Sequence, residues 1–287
     1  MKKFLLLSAL FLFGVLAAEN PDAAKVSRSY HRHHKIYGKG EYYQISRGEF
    51  GYLIYFQWVQ PTQTQEEQVL IGLPEPNFWS GFNRRGLFNL IINDISVFDI
   101  EPKEITLFKE AGKAGISALY NFDGVRMHLR FFMDEKSPLL HVECIKDPRT
   151  EKSVRSIALN MQVTPTIDGQ KRNSYKREIL TPVSFYNRSG RQILKKEDRS
   201  FFMYDTNYQG SADKPKSNGP AFMTWDTSVW ESASMHYGKG SGIYFQFKIK
   251  PDTQKISFSL LELKKKTTNR EFQEFLLQHK LIRKAAK

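Results

Sequence analysis

Period-two alternation of apolar and polar residues recurs through this chain, and it excludes most folds at once. In "GIYFQFKIK" (242–250), Ile243, Phe245, Phe247 and Ile249 fall on one side, and Tyr244, Gln246, Lys248 and Lys250 on the other. That is the pattern of a strand with one buried face. The same alternation marks "LIYFQWV" (53–59), "ISALYNF" (116–122), "VRMHLRFF" (125–132), "LLHVECI" (139–145) and "IALNMQV" (157–163). Asp123-Gly124, Lys136-Ser137-Pro138, Asp168-Gly169 and Ser189-Gly190 separate these runs with turn residues. "ISFSLLEL" (256–263) follows "GIYFQFKIK" after Pro251-Asp252, which predicts a hairpin. Strand after strand without an intervening helical period requires antiparallel sheets in two packed layers or a barrel. The expected fold is therefore mainly β, a large antiparallel β-sandwich of the supersandwich kind.

One helix is predicted at the end, about 268–284. Thr268 and Glu271 have capping-box spacing, and Phe272, Phe275, Leu276 and Ile282 fall near one face of the segment that follows. Residues 1–18 read as a secretory signal peptide: Lys2-Lys3, an apolar run from Phe4 to Leu16 too short to span a bilayer comfortably, and small residues Ala17-Ala18 before Glu19. A retained signal anchor is the alternative. Export to the periplasm or beyond follows from the leader, with no transmembrane segment after its removal. Residues 19–40, containing "HRHHK", read as a loosely held N-terminal arm, and 41–287 as a single sandwich domain ending in the helix. The polar, Gly/Pro-rich interval 208–220 reads as a long surface loop. The single cysteine, Cys144, has no partner within the chain, so stability must come from burial.

A net charge of +13 points toward polyanions. For an exported protein, acidic polysaccharide is a more natural partner than nucleic acid. A basic surface that is merely solvated is the plain alternative. Three histidines, His31, His33 and His34, sit close together, yet no second cluster supplies further ligands at metal spacing, so neither a metal nor another cofactor is expected. Glycine-rich phosphate loops, Gly-x-Ser-x-Gly and His-Glu-x-x-His are absent.

Two regions carry candidate chemistry. On the hairpin of 125–132 and 139–145, one face is apolar and the other gathers His128, Arg130, His141 and Glu143. With Phe132 opposite Leu139, His128 lies across from Glu143 and Arg130 across from His141. A histidine beside a carboxylate can exchange protons at neutral pH, so His128, His141 and Glu143 form a candidate acid-base group; a solvated face of charged pairs is the competing reading. The second region is "NFWSGFNRRGLF" (77–88), in which Trp79 and Phe82 offer rings while Asn83, Arg84 and Arg85 offer planar donors. Trp225 and Trp230 in "FMTWDTSVWESASMHYGKGSG" (222–242) add two more rings. Stacked rings with amide and guanidinium donors suit a saccharide. The same aromatics could instead plug the ends of a sandwich core.

The order of strands and turns from "NFWSGFNRRGLFNLIIND" through "EITLFKEAGKAGISALYNFDGVRMHLRFFMDEKSPLLHVECIKDP" to "GIYFQFKIKPDTQKISFSLLEL" resembles the galactose mutarotase-like β-supersandwich superfamily. The resemblance implies a sandwich that binds sugar on a concave sheet face. Epimerases of that superfamily pair a histidine acid with a glutamate base, using an Asn-His-rich segment early in the chain; this sequence has no matching early segment, so the activity is not carried over. The leading expectation is an exported protein that binds carbohydrate, acidic in character. A carbohydrate-active enzyme (an epimerase or a glycan-cleaving enzyme) and an envelope or assembly protein without a small ligand are the alternatives.

Overall fold

The computed structural model describes residues 23–34, 38–59, 68–75, 87–163, 177–206, 220–237, 242–263 and 267–282. Its strands are β1 (Lys25–His34), β2 (Gly38–Arg47), β3 (Phe50–Val59), β4 (Gln68–Glu75), β5 (Phe88–Ile92), β6 (Ile95–Ser96), β7 (Glu104–Glu110), β8 (Lys113–Phe122), β9 (Val125–Asp134) and β10 (Leu140–Lys146). They continue with β11 (Ile157–Val163), β12 (Arg177–Leu180), β13 (Phe185–Tyr186), β14 (Gly190–Ile193), β15 (Ser200–Asp205), β16 (Ala221–Trp225), β17 (Trp230–Tyr237), β18 (Ile243–Ile249) and β19 (Lys255–Leu261), before helix α1 (Asn269–Gln278).

Every pairing among them is antiparallel. Three sheets result: β1-β2-β3-β4, β14-β17-β18-β11-β5-β6, and a nine-stranded sheet ordered β13-β12-β15-β16-β19-β10-β9-β8-β7. The alternation read from sequence explains how they stack. The inner residues of the nine-stranded sheet share one hydrophobic cluster with those of both smaller sheets. Phe201 of the large sheet meets Phe245 of the six-stranded one at 5.3 Å, and Phe131 meets Phe56 of the four-stranded one at 6.4 Å. The expected β-sandwich is thus present, with its large sheet backed by two smaller ones.

Three local expectations differ from the structure. Residues 25–34 are not a loose arm but strand β1, paired with β2 from Lys25↔Ser46 to His34↔Gly38. An edge strand is held by its backbone ladder and needs few apolar side chains, so composition concealed it. Strands β18 and β19 do not form a hairpin: β18 lies between β17 and β11, and β19 between β16 and β10. Pro251-Asp252 instead turns the chain from one sheet to the other, because the apolar sides of both strands face one shared core. There, Trp225 bridges the layers, 4.1 Å from Phe247 of β18 and 4.6 Å from Phe258 of β19 between ring centroids.

The helix is also shorter than predicted. Its start is as expected, with Thr268 and Glu271 completing a reciprocal capping box. It stops at Gln278 because Lys280 adopts φ 57°, while Lys280 N–H donates to Leu277 and Leu281 N–H to Leu276. This is a Schellman ending without glycine. Phe272 and Leu276 seal the outer face of the nine-stranded sheet at one end, over Leu139, Phe202, Phe222 and Leu261.

Candidate functional site

Where the helix cover ends, the outer face of the nine-stranded sheet carries short polar, aromatic and charged side chains. The register of β8, β9 and β10 sets the neighbours: Ser117↔Arg130↔Glu143 in one row, Leu119↔His128↔Ile145 in the next, and Phe132↔His141 on the other flank. The β9/β10 pairing is displaced by two residues from the predicted register, so Glu143 does not sit across from His128. The cause lies in the turn. Strand β9 continues to Asp134, paired with Lys113, and Pro138 has no N–H with which to extend the ladder on the returning side. A shift of two preserves which face each side chain occupies, so the apolar-in, polar-out assignment holds while the partners change.

His128, His141 and Glu143 consequently share a face but each has its own partner. Nε2 of His128 lies 3.0 Å from Oδ2 of Asp147, and its Nδ1 3.3 Å from Oγ of Ser117. His141 Nδ1 lies 2.9 Å from Oγ of Ser259, its ring stacks on Phe132 at 5.1 Å, and its Nε2 is 3.3 Å from Asp134 Oδ2 without the alignment of a hydrogen bond. Burial holds the His141 pKa below its ordinary value, with Lys113 acting in the same direction and Asp134 and Glu143 opposing. Glu143 pairs with Lys255 at 3.4 Å. The proposed acid-base group of three is therefore replaced by separate pairs.

Asp147, which no sequence pattern singled out, is the most constrained carboxylate of this face. It is 2% exposed and accepts from Arg149 N–H at 2.7 Å, Arg149 Nε at 3.1 Å and Arg149 Nη2 at 2.8 Å, besides His128. The side-chain and backbone bonds from Arg149 hold its pKa well below the ordinary carboxylate range, against the opposing effect of burial. Its signal in the sequence is only the parity: 141, 143, 145 and 147 continue one face past the end of the strand.

Arg130 is the other organised group. It reaches across β8 to lie over the Phe108 ring of β7, 4.1 Å from the centroid, and pairs with Glu110 of the same strand. That crossing passes Gly115, the residue of β8 opposite both Phe108 and Phe132. A Cβ at Gly115 would fall 2.0 Å from the Phe131 carbonyl oxygen and 2.5 Å from Phe132 Cβ, so the close strand approach itself requires glycine.

Trp225 and Trp230 do not belong to this face. They are 4% and 1% exposed and pack in the sandwich core, 6.1 Å apart, so neither presents a ring to a ligand. Inward-facing positions of a strand favour large rings, and sequence alone could not separate the two uses. Trp79, Phe82, Asn83, Arg84 and Arg85 lie outside the described residues, as do the side chains of His31, His33 and His34. The end of that aromatic segment is described: Leu87 and Phe88 are fully buried, and Phe88 packs on Phe131 and Phe258 at 6.1 and 5.6 Å, on the inner side of the sheet whose outer side carries His128. Elsewhere on the outer side, a groove of about 940 Å³ opens between the last helical turn and residues 180–183, lined in part by Leu180, Val183, Arg199, Phe202, Lys280 and Leu281. None of the expected site residues that are described lines it.

Fold and face together define a large antiparallel β-sandwich whose main sheet has a polar, ring-bearing outer surface that no described element covers beyond α1. No protein-family model matches the chain, and no curated protein matches it by sequence. Among solved structures it is similar to the alpha-N-acetylgalactosaminidase NagBb from Bifidobacterium bifidum in complex with GalNAc, at 8% identity and a TM-score of 0.45, over 90% of this chain and 38% of that one. It is similar to an alpha-galactosidase from Lactobacillus brevis at 10% identity and a TM-score of 0.37, over 83% of this chain and 39% of that one. An alpha-galactosidase of Geobacillus stearothermophilus gives 10% identity and a TM-score of 0.38, over 83% and 41%. The chain spans about two-fifths of the length of each of these proteins. At such values the likeness says nothing of ligand or reaction, and none of the three is a mutarotase. The β-sandwich stands on this chain's own topology.

Proposed function

We propose that the uncovered outer face of the nine-stranded sheet binds an acidic carbohydrate. The observation that carries this reading is the arrangement of Arg130: a guanidinium 4.1 Å over the Phe108 ring, flanked by the Phe132–His141 stack, and paired with a carboxylate of the chain itself. Glu110 is 57% exposed by side chain and belongs to the edge strand, so it stands where the carboxylate of a ligand would stand and can be displaced. Planar guanidinium groups recognise carboxylate and sulfate in two-point fashion, while the part-exposed rings of Phe108 and His141, above the buried Phe132, and short hydroxyls such as those of Ser117, Ser257 and Ser259 suit the two sides of a sugar. The net charge of +13 supports attraction of a polyanion, and the leader-like residues 1–18 support export.

Binding of acidic and neutral oligosaccharides, followed by calorimetry at two salt concentrations, tests the reading. R130A abolishes binding of the acidic ligand, whereas E110Q, which removes the competing charge, tightens it. W79A and R84A ask whether the 77–88 segment contributes. Equal affinity for neutral and acidic glycans, or weaker binding in E110Q, overturns the proposal.

A further inference from the structure

The same face holds a second arrangement that does not depend on sugar binding. Ser117, His128 and Asp147 come from β8, β9 and the turn after β10, and they meet in a line: Ser117 Oγ to His128 Nδ1 at 3.3 Å, and His128 Nε2 to Asp147 Oδ2 at 3.0 Å. The buried carboxylate fixes the direction of the hydrogen bonds. Asp147 is ionised and acceptor-only, so Nε2 carries the proton and donates to it. Nδ1 is then a lone pair, and the Ser117 hydroxyl donates to it. The histidine side chain is 32% exposed, which leaves the line open to a reactant from the outer face. Arg130, the cross-strand partner of Ser117 in β9, directs its guanidinium to Phe108 and Glu110 of β7.

We infer that Ser117 is a base-activated nucleophile, with His128 as its proton acceptor and Asp147 as a positioning residue, acting on acyl esters. The Ser117 oxygen bonds to the ester carbonyl carbon while its proton passes to His128 Nδ1. The bond to the leaving alcohol breaks, and its oxygen takes the proton from Nδ1. Water then repeats the sequence on the acyl-serine, releasing the carboxylic acid and restoring the serine. Groups with charge near the imidazole include Arg126, Asp147 and Arg149 at its own end of the sheet, Glu104 of β7 in the same cross-strand row, and Glu143 and Lys255 on the other side.

The molecule contains its own comparison. Ser259 and His141 make a shorter contact, 2.9 Å, but Asp134 is 23% exposed and not aligned with the imidazole. A carboxylate that orients the ring is present in the first set and missing in the second.

The test uses the full-length protein, a fluorophosphonate probe that forms a serine–phosphorus bond with loss of fluoride, and peptide mapping of the adduct. One adduct on Ser117 is expected in the wild-type protein, slowed by about 100-fold or more in H128A, the range lost when a general base is removed. Steady hydrolysis of p-nitrophenyl acetate should fall in parallel. For Asp147, ¹⁵N spectra of the His128 ring should show the Nε2–H tautomer in wild-type protein and its loss in D147N. No adduct in the folded wild-type protein, or an adduct on Ser259 instead, overturns the proposal. Because the probe contains no sugar, this outcome is independent of whether the face binds carbohydrate.

Discussion

Truncation of Trp225 separates the core role seen in the structure from the ligand-stacking role that its sequence neighbourhood suggests. Trp225 is 4% exposed, lies within 4.6 Å of Phe258 and 4.1 Å of Phe247 between ring centroids, and joins the two large sheets through those contacts. Replacing such a ring by alanine removes its transfer free energy and leaves a cavity that two packed sheets close poorly. The loss is about 3–5 kcal/mol, or roughly 6–20 °C in Tm for a domain of this size. Trp225→Phe behaves differently. Nε1 of Trp225 meets no acceptor among the described residues, and phenylalanine removes that buried donor, whose unpaired state costs about 1–3 kcal/mol. The smaller ring loses packing but gains on this count, so W225F should stay within about 1.5 kcal/mol of wild type. Chemical and thermal unfolding followed by circular dichroism measures both variants. A W225A protein as stable as wild type, or a W225F protein as damaged as W225A, would refute the placement of this ring in the core.

Two further outcomes follow from local geometry. The Asp147 pKa is depressed in the folded protein by Arg149, so on acidification the unfolded chain takes up this proton first, near the ordinary carboxylate value of about pH 4. The stability that Asp147 contributes is present above that value and is lost as pH falls toward the folded one; the gap in Tm between wild type and D147N should narrow steadily from pH 5 to pH 3, and a constant gap would contradict the linkage. Lys280 holds φ 57° at the end of α1, a conformation that disfavours side chains, so K280G should stabilise the protein by about 1 kcal/mol in denaturant titrations, whereas a loss would show that its side chain matters more than its backbone.

How far the sequence can be read depends on which interactions decide each feature. Alternation names a strand and its buried side because it depends on one residue at a time, and Met127, Leu129, Phe131, Val142 and Cys144 all point inward as their parity requires. It is silent about which strand lies alongside. Strands β18 and β19 have the pattern of a hairpin, and only the shared core between layers sends them to different sheets. Strand β1 was invisible for the opposite reason, since its evidence is a ladder of backbone bonds rather than apolar side chains.

The site shows the same division more sharply. Sequence placed His128, Arg130, His141 and Glu143 on one face correctly, yet chemistry depends on contacts of about 3 Å, and a register displacement of two residues moves a partner by about 7 Å along the strand. That displacement substitutes Asp147 for Glu143 beside His128. The exchange is not neutral: Glu143 is a carboxylate shared with a lysine, whereas Asp147 is buried, locked by Arg149 and able to fix a tautomer. A face read as a group of three acid-base residues thereby becomes a directed line of hydrogen bonds ending on a serine that no pattern of residues singles out.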